Sequence, residues 1–256
     1  MEEQITDNQL SDSTTSFKKL RAKVKRRFQK ALTDYQLIQD GDYIMVALSG
    51  GKDSLCLLQL LAERSRIFKP QFRVIAVHVR MENIAYESDC TYLQEFAEGL
   101  GIELRVLTTR FDASTDKRHS PCFLCSWNRR KQLFQLAQQL GCNKIALGHH
   151  MDDIIHTALM NQCFHGHFST MPVKLKMERM PLTIIRPLAL EHEADIKAFA
   201  DMQGYVKQKK LCPYETDSHR AEVKQIFNMM ERMNNEARFS IWNALEAEGK
   251  LCQAED

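Results

Sequence analysis

The sequence has no apolar run near the roughly 20 residues that a bilayer-spanning helix needs. Its first residues, Met1-Glu2-Glu3-Gln4, lack the basic-then-apolar order of a secretory leader. These absences argue against a membrane partner and make the cytoplasm the expected location. No internal repeat and no Gly/Ser-rich linker divides the chain. A net charge of only +2 excludes a polycation that binds nucleic acid through bulk charge alone. What remains is ordinary for a soluble globular protein: 256 residues, 44% hydrophobic and 27% charged. That length suits one large α/β domain, or a domain with a small extension. Eight cysteines in a reducing compartment point to metal or redox chemistry wherever two lie close.

Strand and helix patterns alternate along the chain. Short buried runs occur at 43–48, 74–79, 103–107, 144–147 and 182–185, each separated from the next by a helical pattern or loop. Helices are expected at 52–66, 87–101, 127–140, after Asp153 to about Cys163, at 193–203, and once or twice before about Glu248. Such alternation implies an α/β fold, a parallel sheet of about five strands with helices on both faces. Residues 1–15 are polar and aperiodic and read as a disordered tail. Residues 16–256 read as a single domain that opens with a basic helix and closes with a helical extension. In that opening helix eight Lys and Arg residues lie between Lys18 and Lys30, around an apolar stripe of Leu20, Val24, Phe28 and Leu32. It suits contact with a phosphate backbone, or a solvated face on a docked helix. The Met-rich 166–181 segment reads as irregular, either covering a site or lying on the surface.

The most informative stretch is Ser49-Gly50-Gly51-Lys52-Asp53-Ser54, between the first strand and a Leu-rich helix. A strand, a Gly-Gly turn and a helix N-terminus together form an anion site. The spacing does not fit Walker A, since Asp53 stands where Ser or Thr is required and the four-residue spacer is missing. The dinucleotide fingerprint fails as well. On a parallel sheet a ligand binds at the carboxyl ends of the strands. His78, the 108–125 loop and Gly148-His149-His150-Met151-Asp152-Asp153 are expected to converge there. Asp152 and Asp153 could hold Mg²⁺ beside a phosphate, or cap a helix. Cys122 and Cys125 form a Cys-x-x-Cys pair able to grip iron or zinc or to close a redox disulfide. Cys212, before Pro213 and after a basic loop, is the best third ligand. Cys56, Cys142 and Cys163 are expected to be buried as small hydrophobes. Arg129, Arg130 and Lys131 could meet RNA or ATP phosphates, or be one solvated turn.

Ser49 to Ser54 after a strand resembles the PP-loop of ATP pyrophosphatases, a Rossmann-like adenine nucleotide hydrolase fold. With Pro121-Cys122-Phe123-Leu124-Cys125, Ala146 to Asp153, Arg186-Pro187-Leu188 and Cys212-Pro213-Tyr214, the chain is similar to the tRNA 2-thiocytidine synthetase (TtcA) family over about 20–235. The resemblance implies an ATP-dependent tRNA thiolase that adenylates a cytidine, at position thirty-two of the anticodon loop, and replaces its oxygen with sulfur. It implies ATP held by Ser49, Gly50, Gly51, Asp53, Ser54, Gly148, His149 and Asp152, with Lys52 neutralising developing charge. His78, at the end of its strand, is placed either beside the adenine or ribose or as a satisfied core histidine. It implies Mg²⁺, with Asp53 as a ligand, and a 4Fe-4S cluster on Cys122, Cys125 and Cys212. The implied partners are tRNA and a cysteine desulfurase or other sulfur donor, with a homodimer open. The Cys-Pro-Tyr context looks more like the sister tRNA 2-thiouridine enzymes, yet their flanking zinc modules are missing. Lysidine synthetase is a rival that leaves the three cysteines unexplained. A non-enzymatic nucleotide- or redox-binding protein is a second rival, and the intact Lys52 and Asp53 argue against it.

Overall fold

The computed structural model describes residues 7–86, 89–111, 120–211 and 219–252. In chain order the elements are α1 (Asp7–Asp34), β1 (Tyr43–Ala47), α2 (Lys52–Ser65), β2 (Arg73–Met81), β3 (Ala85–Tyr86), α3 (Thr91–Gly99) and β4 (Leu104–Thr109). Then come α4 (Pro121–Leu140), β5 (Lys144–Ala146), α5 (Met151–His165), β6 (Lys174–Lys176), β7 (Thr183–Ile185), α6 (Glu193–Gln203), β8 (Lys210–Leu211), α7 (Arg220–Met233) and α8 (Ala237–Ala247).

The main sheet has six strands in the order β4-β2-β1-β5-β7-β6. Five pair in parallel, in line with the apolar runs of the central β1 and β2, and β6 is antiparallel to β7. β1 shows why both faces are covered. Ile44 and Val46 enter the core shared with α1, α2 and α5, while Met45 faces Leu133, Leu136 and Ala137 of α4. The chain builds outward from β1 through β2 to β4, then returns to β5 on the other side of β1. The crevice between β1 and β5 is therefore the topological switch point, where ligands bind in sheets of this kind.

The α/β fold and the five parallel strands are as the sequence indicates, and several local features differ. The 1–15 segment, expected as a disordered tail, is helical from Asp7. A helix anchored by Val24 and Phe28 extends outward cheaply, because propagation costs far less than nucleation. α4 begins at Pro121, six residues before the expected start. Ser120 is its N-cap, accepting from the Phe123 N–H, and Pro121 occupies the first turn. The 166–181 segment does not cover the site. It contributes β6, and Met177 and Met180 pack on the α4 side of the sheet. Cys56 and Cys142 are buried, but Cys163 is exposed because the last turn of α5 passes the edge of the core. β3 and β8 form a separate two-stranded sheet that the sequence pattern does not reveal.

Glu191, just before α6, is 0% exposed. Burial pushes its carboxyl up from 4.5 to about 8, against the pull of Arg27 and Lys23 and with a push from Asp195. Folded protein thus keeps a proton that unfolded chain has lost. The stability this group contributes is complete below about 4.5 and is lost as pH rises toward 8. Glu191→Gln is expected to melt above wild type at pH 8 and close to it at pH 4.5, read by thermal denaturation.

Candidate active site

The loop 49–51 leaves the end of β1 and starts α2. Gly50 has φ +82°, a left-handed conformation that glycine adopts without strain, and an added Cβ would lie 2.7 Å from Cβ of Gln208. Gly51 is the N-cap, and no side chain caps the helix. The first-turn N–H groups and the helix dipole therefore stay available for an anion. Ser54 Oγ donates to the Gly51 carbonyl at 2.9 Å, and Ser49 Oγ lies 3.1 Å from Ser54 Oγ, which fixes the turn. Gly148, at the end of β5, crosses the same helix start. A Cβ there would meet Asp53 C and Ser54 N at 3.1 Å, so the helix-start backbone would have to shift by a few tenths of an ångström to admit it.

Lys52 reaches Asp53 at 2.9 Å and Glu193 at 3.6 Å. Burial works to lower its ammonium, but Asp53, Glu193 and Asp153 outweigh it and raise the pKa, so Lys52 stays charged. His150 sits between carboxylates, with Nε2 3.8 Å from Asp53 and 3.5 Å from Asp153. Asp153 also accepts the His150 backbone N–H at 3.2 Å. Lys52, Asp53, His150, Asp153 and Glu193 thus form one charged cluster beside the anion site.

His149 is drawn away from it, while Asp152 lies 3.6 Å from His150 Nδ1 and is held by further donors. His149 Nδ1 accepts from Arg186 Nε at 3.3 Å, and burial with the Arg186 charge lowers the ring to about 4, so it is neutral. Arg186 is fastened to the Pro172 carbonyl. Asp152 accepts from Arg238 at 2.6 Å and from the Glu193 N–H at 2.8 Å, tying α5 to α6 and α8. Burial would raise its carboxyl, but those two donors hold it below the usual range. Both adjacent aspartates meet His150, and Asp152 alone is also bound by Arg238 and the Glu193 N–H.

A cavity of about 250 Å³ opens beside the loop, lined by Ser49 and Gly51, by Val77, His78 and Val79 of β2, and by Arg129 and Leu133 of α4, among others. His78 Nδ1 is 2.7 Å from the Leu48 carbonyl. Tyr86 and Gln208 close one side. Gln208 donates its backbone N–H to the Gly50 carbonyl at 3.0 Å. Sequence reasoning missed Gln208, Tyr86, Glu193 and Arg238. Gln208 stands in a run of lysines, where an uncharged side chain gives no signal of its own.

Cys122 and Cys125 lie three residues apart in the first turns of α4, Cys122 exposed and Cys125 buried. Cys125 packs in a small cluster with Met81, Ile84 and Phe111, next to Tyr86. Arg129, one turn further along α4, lines the cavity and approaches the Tyr86 hydroxyl at 3.4 Å. Arg130 bonds the Ser126 carbonyl, and Lys131 lies over the Trp127 ring at 5.3 Å. Cys212 lies outside the described residues. The chain reaches it through β8, in which Leu211 pairs with Ala85 and Lys210 with Tyr86. Among the described residues no three His, Cys, Asp or Glu side chains form a metal site, and no helix is long and apolar enough to cross a membrane.

The basic helix is largely spoken for. Arg21 and Lys25 pair with Glu63, and Lys23 and Arg27 pair with Asp195. Lys18, Lys19 and Arg26 are exposed. Half of its eight cations therefore dock α1 to α2 and α6.

A family model for a PP-loop domain matches residues 20–232. The tRNA-cytidine(32) 2-sulfurtransferase of Aliivibrio fischeri is 37% identical over 222 residues, 85% of this chain and 72% of that protein. Its counterpart in Vibrio cholerae is 36% identical over 218 residues, 83% of this chain and 70% of that protein. The chain belongs to the PP-loop family of tRNA-cytidine(32) 2-sulfurtransferases. Among solved structures, the U34-tRNA thiolase NcsA from Methanococcus maripaludis, with its 4Fe-4S cluster, superposes with a TM-score of 0.78 at 26% identity, covering 93% of this chain and 82% of that one. Family membership makes the uncapped start of α2 the PP-loop, flanked by the charged cluster.

Because the Gly148 contact is with backbone, Gly148→Ala must displace the start of α2 or the end of β5. It is expected to weaken ATP binding at least about tenfold, a loss of roughly 1.4 kcal/mol, with the far-UV circular dichroism spectrum unchanged. Calorimetric titration with ATP and Mg²⁺ checks this.

Proposed function

We propose that this protein is an ATP-dependent tRNA 2-thiolase acting on cytidine 32. The observation that carries the reading is that α4 serves two places at once. Its first turns bear Cys122 and Cys125, and one turn later Arg129 lines the cavity that Ser49 and Gly51 close. Four residues of helix rise about 6 Å, so the cysteine pair and the PP-loop cavity are near neighbours.

In this reading the oxygen on C2 of the base attacks the α-phosphate of ATP. An adenylated base forms and pyrophosphate leaves. The departing pyrophosphate lies on the N–H groups of α2, where Lys52, kept protonated by Asp53 and Glu193, offsets its growing charge. Asp53 and Asp153 supply carboxylate oxygens for a Mg²⁺ that takes its other ligands from phosphate and water. Adenylation turns a poor leaving oxygen into AMP, which sulfur then displaces. Position 32 lies in the anticodon loop, where an unstacked base can enter a pocket.

The cysteines fit a cluster site. Two thiols stand one helical turn apart, and β8 delivers the chain beside Ala85 and Tyr86, next to Ile84 and Cys125, one residue before Cys212. Cys122, Cys125 and Cys212 would hold a 4Fe-4S cluster. Bound by three thiolates, such a cluster supplies one open iron able to carry hydrosulfide. The sulfur itself comes from sulfide, or from a cysteine desulfurase together with a thiol reductant that supplies the two electrons taking its persulfide sulfur to the sulfide level. Exposed Lys18, Lys19 and Arg26 supply contacts to the tRNA backbone. A 2-thiouridine product is the second reading, favoured by the Cys212-Pro213-Tyr214 sequence and the likeness to the U34 thiolase.

Anaerobically purified protein is expected to contain about four iron and four acid-labile sulfide per chain. Cys122→Ser, Cys125→Ser and Cys212→Ser each lose the cluster and thiolation, while Cys142→Ser retains both. Full iron content in Cys212→Ser would remove that residue from the site. Lys52→Ala is expected to keep its iron and to release pyrophosphate on the order of a hundredfold more slowly. Radiolabelled ATP measures that step by itself.

A further inference from the structure

The solvent face of α4 carries an aromatic and basic group that neither the cavity nor the core accounts for. Cys122, Phe123, Ser126, Trp127, Arg130 and Lys131 are all exposed on it. Tryptophan is ordinarily well buried. Trp127 is 49% exposed and packs in none of the apolar clusters among the described residues. The second tryptophan, Trp242, is by contrast 5% exposed within the main core. Charge of one sign borders the Trp127 ring. Lys131 Nζ lies 5.3 Å from the ring centre, and Arg130 stands three residues along the helix. The 20 residues of α4 include no Asp or Glu. Among the described residues neither Arg130 nor Lys131 pairs with a carboxylate; Arg130 bonds only the Ser126 carbonyl of its own helix. On α1, in contrast, Glu63 and Asp195 neutralise four cations. Trp127 follows Cys122 by five residues, about 7.5 Å along the helix, so this face adjoins the exposed thiol.

We propose that Trp127 is a stacking platform for an unpaired base of the substrate RNA, with Arg130 and Lys131 against the phosphates that flank that base. The assignment rests on the reading that a tRNA loop is brought to Cys122 and Cys125. Proteins that hold single-stranded nucleic acid combine aromatic rings with a cationic track, because every base has a π-face and every linkage a negative charge. A base that turns out of its stack leaves a neighbour uncovered. An exposed indole on the helix that bears the cysteines can cover that neighbour and hold the loop in place. Trp127 is thus a positioning residue and takes no part in the chemistry. A protein is the competing occupant of this face. Charged side chains are depleted at the centre of protein interfaces, whereas here two cations without carboxylate partners adjoin the ring. Charge therefore favours RNA.

The test is titration of the full chain with unmodified tRNA bearing cytidine 32, and with fully paired duplex RNA of equal length. Binding is followed by the anisotropy of labelled RNA and by tryptophan fluorescence. Stacking on an exposed indole quenches its emission, while buried Trp242 gives a constant background. Wild type is expected to be quenched by tRNA and not by the duplex. Trp127→Ala is expected to bind tRNA about tenfold more weakly and the duplex as wild type does. Trp127→Phe keeps a ring, so it stays within about threefold of wild type while losing the quench. Lys131→Ala lowers the slope of log affinity against log salt by about one. Wild-type emission that does not respond to tRNA overturns the assignment, as does equal quenching by the duplex, and neither result depends on a variant folding. A Trp127→Ala protein that binds tRNA like wild type but no longer takes sulfur from a desulfurase overturns it in favour of a protein partner. Thiolation by Trp127→Ala at the wild-type KM for tRNA overturns this inference and leaves the proposed function standing. Quenched tRNA binding by a chain that makes no thiocytidine does the reverse.

Discussion

The first turn of α2 carries backbone N–H groups that no side chain caps, held at the switch point of a parallel sheet. The other features of the site follow from keeping that helix start open. Ser49 and Ser54 bond each other and the Gly51 carbonyl, which fixes the turn around the anion position. Gly148 is needed because β5 passes against Asp53 and Ser54 with no room for a Cβ unless that backbone shifts. Lys52 supplies the positive charge, and neighbouring carboxylates keep it protonated despite burial. The sheet core behind β1 resists deformation, so the anion position is set before any ligand arrives.

Around this fixed point the chain gathers groups from distant positions. Asp152 links α5 to α6 through the Glu193 N–H and to α8 through Arg238, which is itself held by Glu231. That brings Glu193 to Lys52 from the far side. The β3–β8 pairing does similar work at the other end of the cavity, setting the approach to Cys212 beside the cluster of side chains that buries Cys125. α4 thereby carries Cys122 and Cys125 on its first turns and a wall of the same cavity on the next.

Much of this was legible in the sequence, for identifiable reasons. The central strands β1 and β2 are buried on both faces, so they read as largely apolar runs. The PP-loop could be located because glycine is demanded where φ is positive and backbone comes close. β3, β6 and β8 escaped because two or three residues carry no periodicity. The start of α4 was missed although Ser120-Pro121 is a cap followed by a first-turn proline. Sequence could not distinguish Asp152 from Asp153, since adjacent helical residues differ by about 100° and only the fold shows which one meets Arg238. The basic helix is open in sequence between contact with a phosphate backbone and a docked helix, and ion pairs to Glu63 and Asp195 use four of its cations in docking.

The central claim is that adenylation at the PP-loop and sulfur delivery from the cysteines act on one cytidine. It is tested most directly by incubating the iron-loaded protein with unmodified tRNA, ATP, Mg²⁺ and sulfide, and identifying the product nucleosides by mass spectrometry. The account predicts 2-thiocytidine at position 32, formed only when ATP is present. Formation of 2-thiouridine or lysidine, or of no modified nucleoside by protein that retains its cluster, would contradict it.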